Sequence, residues 1–300
     1  MNKLNKIVDL KLMANTIRKD IIASLREAKS GHSAGPLGMA DIFTGLYFNA
    51  LKHNPRKPKW EGRDRVVLSN GHICPVLYVT MANAGYFPKK ELMTLRKIGT
   101  RLQGHPHRTS LPGLETTSGP LGCGLSQAAG MAYALKLDKK PNLVWCLCSD
   151  GEHEEGNWWE GVLFAAKHKL NNLVAILDRN YIQIDGNTED IMPLDPLGKK
   201  YKSFNWNVVE IKGHNIRKII AVLKKARKNS KKPLMIIANT TPGKGVSFME
   251  NDYTWHGKPP TPEQAEIALA ELDKRRHYLE LDHCDYCKKR HTKCDCIEGQ

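Results

Sequence analysis

Apolar residues along this chain recur with two periods, one typical of helices and one typical of buried strands. Over residues 4–29 they fall every three or four positions, which places them on one face of a helix. Continuous apolar runs at 142–148 and 173–177 predict buried strands, and the segment 154–170 between them has helical spacing. A strand, a helix and a strand in this order predict parallel strands joined by a right-handed crossover.

The remainder of the chain continues the alternation of helices, strands and loops. A Gly-Pro-Leu-Gly turn is predicted at 35–38, and loops are predicted at 99–115 and 240–258. A long irregular stretch such as 99–115 inside a compact domain is often functional. The expected fold class is α/β, a mostly parallel sheet flanked by helices, forming one domain over residues 1–281 with a Cys/His-rich tail at 282–300. The further predicted helices are 39–51, 75–84, 125–137, 215–229 and 262–281, and the further strands are 65–68, 206–211 and 234–238.

Two oxygen-bearing side chains, Asp150 and Asn180, each follow one of the two strand-like runs. The carboxyl ends of parallel strands meet at one edge of the sheet, where open α/β sheets bind ligands. A carboxylate and an amide oxygen are hard ligands suited to magnesium or calcium, and magnesium takes its remaining ligands from phosphate and water. Gly151 would let a phosphate approach the backbone closely. The structural alternative for Asp150 is a helix N-cap, since Glu154 and Glu155 follow within a turn.

The spacing resembles the thiamine diphosphate motif, Gly-Asp-Gly followed by Asn about thirty residues later, with Ser149 in place of the first Gly. Further blocks resemble transketolase in both order and interval, and the resemblance runs from about residue 10 to about residue 270. Because many independent blocks agree, the chain is identified as similar to the N-terminal, diphosphate-binding subunit of a split transketolase. The blocks are 30–38, 68–72, 104–106, 114–124, 149–156, 185–186 and 255–257.

The resemblance implies a role for each residue that matches a family motif. Each of these residues also has a purely structural explanation. Gly-Pro-Leu could form an ordinary turn, the loop histidines could have structural roles, and Glu155 could be a solvated acid in the first turn of a helix. Histidine suits the expected work because it can bind sugar hydroxyls and move protons near neutral pH. The implied metal ligands are Asp150, Asn180 and the backbone carbonyl of Ile182, and the implied cofactor-binding residues are His72, Gly119, Pro120, Leu121, Gly151 and Asn180. The implied substrate-binding residues are His32, His105 and His256, of which His32 and His256 would relay protons. Glu155 would belong to a carboxylate network across subunits.

The activity implied by the resemblance is transfer of a two-carbon ketol unit from a ketose phosphate to an aldose. The cofactors would be thiamine diphosphate with magnesium or calcium. The family's pyrimidine-binding domain has no counterpart among these blocks, so we expect half an active site that requires a separate pyrimidine-domain subunit, in a heterotetramer. Alternatives are a split transketolase for a branched or sulfonated sugar, a deoxyxylulose-phosphate synthase, and a non-catalytic cofactor-binding or zinc-dependent interaction protein. The blocks around His32 and His105 favour transketolase over the synthase.

The formal charge of +15 is compatible with several roles. A solvated basic surface and attraction of sugar phosphates or the diphosphate cofactor are both consistent with it. The basic clusters at 224–228, 231–232 and 288–290 lack interleaved aromatic residues, which argues against nucleic-acid binding. No apolar run is long enough to span a bilayer and no signal-peptide core is present, so a cytoplasmic location is expected.

Four of the eight cysteines lie close together near residue 300. Cys284, Cys287, Cys294 and Cys296 could hold zinc tetrahedrally, although the final C-x-C is tighter than common zinc knuckles. The alternative is a reduced, disordered tail, and the resemblance to transketolase does not extend to this segment. The other cysteines lie in apolar or Gly-rich segments and are expected to be small packing residues.

Overall fold

A five-stranded parallel sheet forms the centre of the computed structural model, which describes residues 3–228 and 231–281. The sheet has the strand order β1-β2-β3-β7-β6, with a two-stranded antiparallel hairpin, β4-β5, beside it. Val144 of β2 lies opposite Leu173 of β3, and the pairing continues to Ser149 opposite Asp178. The parallel sheet predicted from the apolar runs is confirmed. The strands are β1 (Arg65–Leu68), β2 (Val144–Ser149), β3 (Leu173–Arg179), β4 (Ile182–Gln183), β5 (Gly186–Asn187), β6 (Asn207–Lys212) and β7 (Leu234–Asn239).

Helices cover both faces of the sheet, so the fold is a three-layer α/β/α arrangement. Side chains of a strand point alternately to the two faces. Trp145 and Leu147 therefore join the core beneath α1, α2, α3, α8 and α9, whereas Cys146 and Cys148 join the core beneath α4, α5 and α7. The helices are α1 (Ile7–Ala28), α2 (Ala34–Gly45), α3 (Cys74–Ala84), α4 (Cys123–Leu137), α5 (Gly156–Lys167), α6 (Thr188–Ile191), α7 (Leu197–Ser203), α8 (Ile216–Ala226) and α9 (Pro262–Leu281).

The Gly-Pro-Leu-Gly segment at 35–38 is helical, so its prediction as a turn was wrong. Helix α2 begins at Ala34 and continues into a π-helical turn at Leu46–Ala50. Pro36 falls in the first helical turn, where no intrahelical partner exists for the N–H that proline lacks. Close packing explains the glycines, because a Cβ at Gly38 would lie 3.0 Å from the carbonyl oxygen of Thr241.

The helix predicted over 154–170 is shorter than expected. A 3-10 turn, Gly151–Glu154, comes first, and α5 runs only from Gly156 to Lys167. The hairpin β4-β5 and the short helices α6 and α7 were not predicted. In the described part of the chain, no helix is long and apolar enough to cross a membrane.

Candidate functional site

The predicted site residues converge at the carboxyl edge of the sheet, where β1, β2 and β3 end. Asp150 follows β2, Asn180 follows β3, and His72 lies in the turn after β1. A cavity of about 400 Å³ opens at this edge. It is lined by His32, Gly35, His72, His105, Gly119, Leu121, Ser149, Gly151, Glu154, Glu155, Asn180, Ile182, Gln183, Ile184, Asp185 and His256. Pro120 is exposed between two residues of this lining and is not part of it.

Asp150 is buried beneath the cavity, and its two carboxylate oxygens have different surroundings. Oδ2 accepts a hydrogen bond from the backbone N–H of Tyr181 at 2.7 Å and lies 3.1 Å from Nη1 of Arg179. Oδ1 is buried and has no hydrogen-bond partner among the described residues. Burial raises the pKa of this carboxyl to about 6, although Arg179 opposes the shift. A buried carboxylate oxygen without a donor is chemically suited to a cation.

The N-cap alternative for Asp150 is not realised in the structure. Asp150 precedes the 3-10 turn, but its side chain accepts no capping hydrogen bond from that turn. Its bonds run instead to the segment after β3, 31 positions further along the chain.

Asn180 is oriented by a neighbouring carboxylate. Its Nδ2 donates to Oδ2 of Asp178 at 2.9 Å, and its Oδ1 accepts from the backbone N–H of Ile182 at 3.0 Å. Tyr181, between the two, has a left-handed backbone with φ 63°, which is uncommon for a bulky residue and is found at functional sites. This turn allows Tyr181 to bond Asp150 while Asn180 and Ile182 both line the cavity.

Two glycines leave open space where their backbone meets the cavity. A Cβ built on Gly119 or on Gly151 would meet no described atom within 4 Å. Because these glycines have no side chain, an anionic group in the cavity could approach their backbone N–H groups closely.

Three imidazoles form a triangle on one wall of the cavity. Ring centroids are 5.0 Å apart for His32 and His72, 5.5 Å for His32 and His256, and 5.3 Å for His72 and His256. Burial, reinforced by His256, Arg96 and His105, lowers the pKa of His32 to about 4. Burial likewise lowers the pKa values of His72 and His256. All three rings are therefore neutral at pH 7 and offer one donor and one acceptor each.

The ring resonances of His32 are expected to show a neutral imidazole from pH 8 down to about pH 5. The physical reason is burial beside two other imidazoles, which penalises the charged form. The measurement is a pH titration by NMR of histidine-labelled protein, with His32→Gln to assign the signal. Protonation of His32 near pH 6.5, the value of free histidine, would contradict it.

Glu152 is a buried carboxylate at this site whose role the sequence did not reveal. It is fully buried, and its oxygens accept from Ser69 Oγ, from the N–H of Gly122 at 3.1 Å and from the N–H of Ser149 at 3.1 Å. These three donors belong to the loop after β1, the loop before α4 and the last residue of β2. Burial raises the pKa of Glu152 to about 7 despite the three donors. Four acids occur within residues 150–155, and only the fold distinguishes the one that links the loops.

Glu155 is exposed and borders the cavity, immediately before α5. Its side chain makes no capping hydrogen bond to that helix. Both the subunit-network role and the solvated role remain predictions for this residue.

The predicted zinc ligands Cys284, Cys287, Cys294 and Cys296 lie outside the described residues. Within residues 3–228 and 231–281, no group of three or more His, Cys, Asp or Glu side chains is arranged to hold a metal. The cation site predicted at Asp150 is of another kind, because it would combine one carboxylate with amide and backbone oxygens.

Comparison with known proteins identifies the family. Residues 10–275 match the family described as transketolase, thiamine diphosphate binding domain. The chain belongs to the transketolase family. It is 41% identical over 267 residues to the 6-deoxy-6-sulfo-D-fructose transketolase subunit SqwG of Clostridium sp. (strain MSTE9), covering 89% of this chain and 97% of that one. It is 39% identical over 278 residues to an apulose-4-phosphate transketolase subunit of Phocaeicola vulgatus, covering 93% and 99%.

The transketolase resemblance and the expected α/β fold are thereby confirmed. The solved transketolase of Campylobacter jejuni superposes with a TM-score of 0.80 at 30% identity, covering 95% of this chain. The chain spans about half of that structure, since 50% of it is covered. As a member of the family, the protein is a transketolase enzyme subunit with a thiamine diphosphate-binding domain.

Proposed function

We propose that this chain is the diphosphate-binding subunit of a two-subunit transketolase that transfers a two-carbon ketol unit from a ketose to an aldose. The single observation that carries the proposal is the cavity where the buried, unpartnered Oδ1 of Asp150 lies beneath Gly151 and Asn180, with three neutral imidazoles nearby. Two relatives at 39–41% identity are named as subunits, which supports a separate partner.

The residues present fit a diphosphate held through a divalent cation, preferably magnesium. Asp150, Asn180 and the backbone carbonyl of Ile182 would ligate the cation, and the open backbone at Gly151 would receive the diphosphate beside His72. Gly119, Pro120 and Leu121 would lie beneath the cofactor rings. When bound, thiamine diphosphate supplies the nucleophilic carbon for carbon–carbon cleavage and formation.

The chain's own contribution is to bind the sugar and move protons. His105 would bind hydroxyls of the donor. His32 and His256, neutral at pH 7, can each take a proton at one ring nitrogen and give one from the other, as a relay requires. Their rings are in edge-to-face contact in the cavity wall, with centroids 5.5 Å apart, so a substrate group placed against this pair would lie near both.

A partner subunit would complete the site with a pyrimidine-binding domain, and we propose a heterotetramer of two subunits of each kind. Apolar side chains at the rim of the cavity support a covering partner. Leu121 is 36% exposed and Ile184 is 70% exposed, and both line the cavity. Location in the cytoplasm is part of the same proposal.

A sulfonated or branched sugar is the second candidate substrate class. It is favoured by the names of the two relatives, which refer to 6-deoxy-6-sulfo-D-fructose and to apulose 4-phosphate. Such substrates would share the ketol chemistry, and in 6-deoxy-6-sulfo-D-fructose the sulfonate on the sixth carbon would be remote from the bond between the second and third carbons that breaks.

The test is reconstitution with a pyrimidine-domain subunit encoded in the same genome. The purified chain with magnesium and thiamine diphosphate is expected to show negligible ketol transfer, and the mixture is expected to be active. Fructose 6-phosphate, 6-deoxy-6-sulfofructose and apulose 4-phosphate should be compared as donors. Robust turnover by the chain alone would refute the two-subunit proposal, and a mixture containing Asp150→Ala serves as the inactive control.

A further inference from the structure

Arg179, the last residue of β3, is a buried cation that touches the predicted metal ligand. Its side chain is 1% exposed, and Nη1 lies 3.1 Å from Oδ2 of Asp150. On its other side Nη2 pairs with Glu189 and lies 3.4 Å from Oδ1 of Asp195. Its guanidinium carbon lies 4.0 Å from the ring centre of Tyr181. Burial, two carboxylates and an aromatic face thus hold the guanidinium against Asp150.

This contact decides what charge a metal would encounter. Among the three predicted ligands only Asp150 is charged, since Asn180 and the Ile182 carbonyl are neutral. The guanidinium is in contact with that single carboxylate and offsets its charge. Glu189 and Asp195 contact Nη2 of the guanidinium and have side chains 29% and 56% exposed, so solvent screens their effect on the site.

The geometry of the contact separates the two oxygens of Asp150. Arg179 and the Tyr181 amide both engage Oδ2, while Oδ1 remains buried without a partner. The arrangement leaves Oδ1 without a partner while the guanidinium offsets the charge of the carboxylate that carries it. The other buried carboxylate beside the predicted ligands, Asp178, accepts hydrogen bonds from Asn180 and Thr240. A divalent cation alone gains little at Oδ1, whereas a diphosphate would add the missing negative charge.

We propose that Arg179 makes binding of the divalent cation conditional on the diphosphate, by neutralising Asp150 while holding its Oδ1 toward the site. This inference rests on the proposed cofactor role of the site. Arg179 acts through Asp150 and is therefore a positioning residue. The consequence is coupled loading, in which cation and thiamine diphosphate bind together and neither is retained alone.

Binding of Mn²⁺ to the full chain, measured by electron paramagnetic resonance with and without thiamine diphosphate, tests the proposal. The unmodified chain is expected to bind Mn²⁺ at least a hundredfold more weakly without the cofactor. At pH 8, where Asp150 is ionised, Arg179→Met is expected to bind bare Mn²⁺ at least tenfold more tightly than the unmodified chain, because no guanidinium offsets the charge of the carboxylate. Arg179→Lys, which keeps the charge, is expected to stay within threefold.

Two control variants test whether the change in Mn²⁺ affinity comes from the contact between Arg179 and Asp150. Lys199→Met removes an exposed cation nearby and should change nothing, and adding Asp150→Asn to Arg179→Met should abolish the gain. If Arg179→Met does not fold by circular dichroism, Arg179→Gln replaces it, because Gln is also neutral but keeps a polar end, and it carries the same expectation. A merely structural role would give weaker binding in every variant, never a gain for bare Mn²⁺.

Failure of this inference and failure of the proposed cofactor site would give different results. If the neutral variants bind bare Mn²⁺ no tighter than the unmodified chain, while all bind Mn²⁺ with thiamine diphosphate, Arg179 has no coupling role and the cofactor assignment stands. If the unmodified chain binds no Mn²⁺ even with thiamine diphosphate, the cofactor assignment falls and this inference falls with it.

Discussion

Asp150→Ala is expected to lose magnesium-dependent binding of thiamine diphosphate by about a hundredfold or more, since even outer-shell changes at metal sites cost 10–100-fold. The substitution removes the buried, unpartnered Oδ1 that would face the cation. It also removes the acceptor for the Tyr181 amide and leaves Arg179 facing the site without its carboxylate. Calorimetric titration with thiamine diphosphate at fixed magnesium measures the loss.

Asp190→Ala is the matched control for this prediction. It removes the same charge from the surface of the nearby helix α6, where Asp190 is exposed. Its cofactor affinity should equal that of the unmodified chain. If Asp150→Ala kept normal affinity with magnesium present, Asp150 would not belong to the site.

Asp41→Ala is expected to lower the free energy of unfolding by about 3–5 kcal/mol, the cost of leaving a buried charge unpaired. Asp41 lies in α2 and pairs through Oδ2 with Nη2 of Arg18 at 2.6 Å, in α1. The Arg18 side chain is 1% exposed, so it would be left as an uncompensated buried cation. Urea denaturation followed by circular dichroism measures the change.

The same carboxylate supports the loop that carries His256. Asp41 Oδ2 lies 2.8 Å from Nδ1 of His214, whose Nε2 accepts from the backbone N–H of Thr241 at 2.7 Å. Since Nε2 accepts, Nδ1 carries the proton and donates to Asp41. Weaker substrate binding should therefore accompany the lost stability.

The stabilisation that the Asp41 carboxylate gives to the folded state depends on pH in a defined direction. Burial alone would raise the pKa of Asp41, but Arg18 and His214 outweigh burial and hold it well below the usual 3.8. A lowered pKa in the folded state means that the stabilisation is complete above about pH 3.8 and is lost as pH falls through the lower folded value. At pH 7 the full cost of Asp41→Ala should be seen.

Two controls test the assignment to a buried pair. Asp273→Ala breaks the exposed pair of Lys19 with Asp273, whose side chains are 31% and 55% exposed, and should cost less than about 1 kcal/mol. The double variant Arg18→Met with Asp41→Leu should recover much of the stability, because it removes both charges together. If Asp41→Ala costs no more than Asp273→Ala, the buried-pair argument is wrong.

Elements with a strong apolar period were predictable because burial follows local pattern. Helix α9 spans Pro262–Leu281 as predicted, and strands β2 and β3 lie within one or two residues of the apolar runs. The predicted loop at 99–115 contains no helix or strand. The two strands carry continuous apolar residues, α9 buries Ala265, Ala268 and Leu272, and the loop is rich in Gly, His, Pro and Thr.

The errors occurred where packing overrides a local signal. Glycine and proline at 35–38 suggested a turn, yet the backbone is helical, and its glycines let α2 pack closely, Gly35 against Ile73 and Gly38 against the loop at Thr241. The hairpin β4-β5 has strands of two residues each, too short to show an alternation. Its place beside the cavity depends on the turn at Tyr181, whose left-handed backbone no propensity favours.

By itself the sequence determined that strands β2 and β3 are parallel. It thereby also placed Asp150 and Asn180 at one edge of the sheet, because residues that follow successive parallel strands lie at the same end. The motif blocks determined the family. Only the tertiary structure decided that Arg179 contacts Asp150, that Glu152 joins the end of β2 to the loops after β1 and before α4, and that three histidines form one wall. Those contacts link residues far apart in the chain, and their geometry depends on how helices pack on the sheet, which no local pattern encodes.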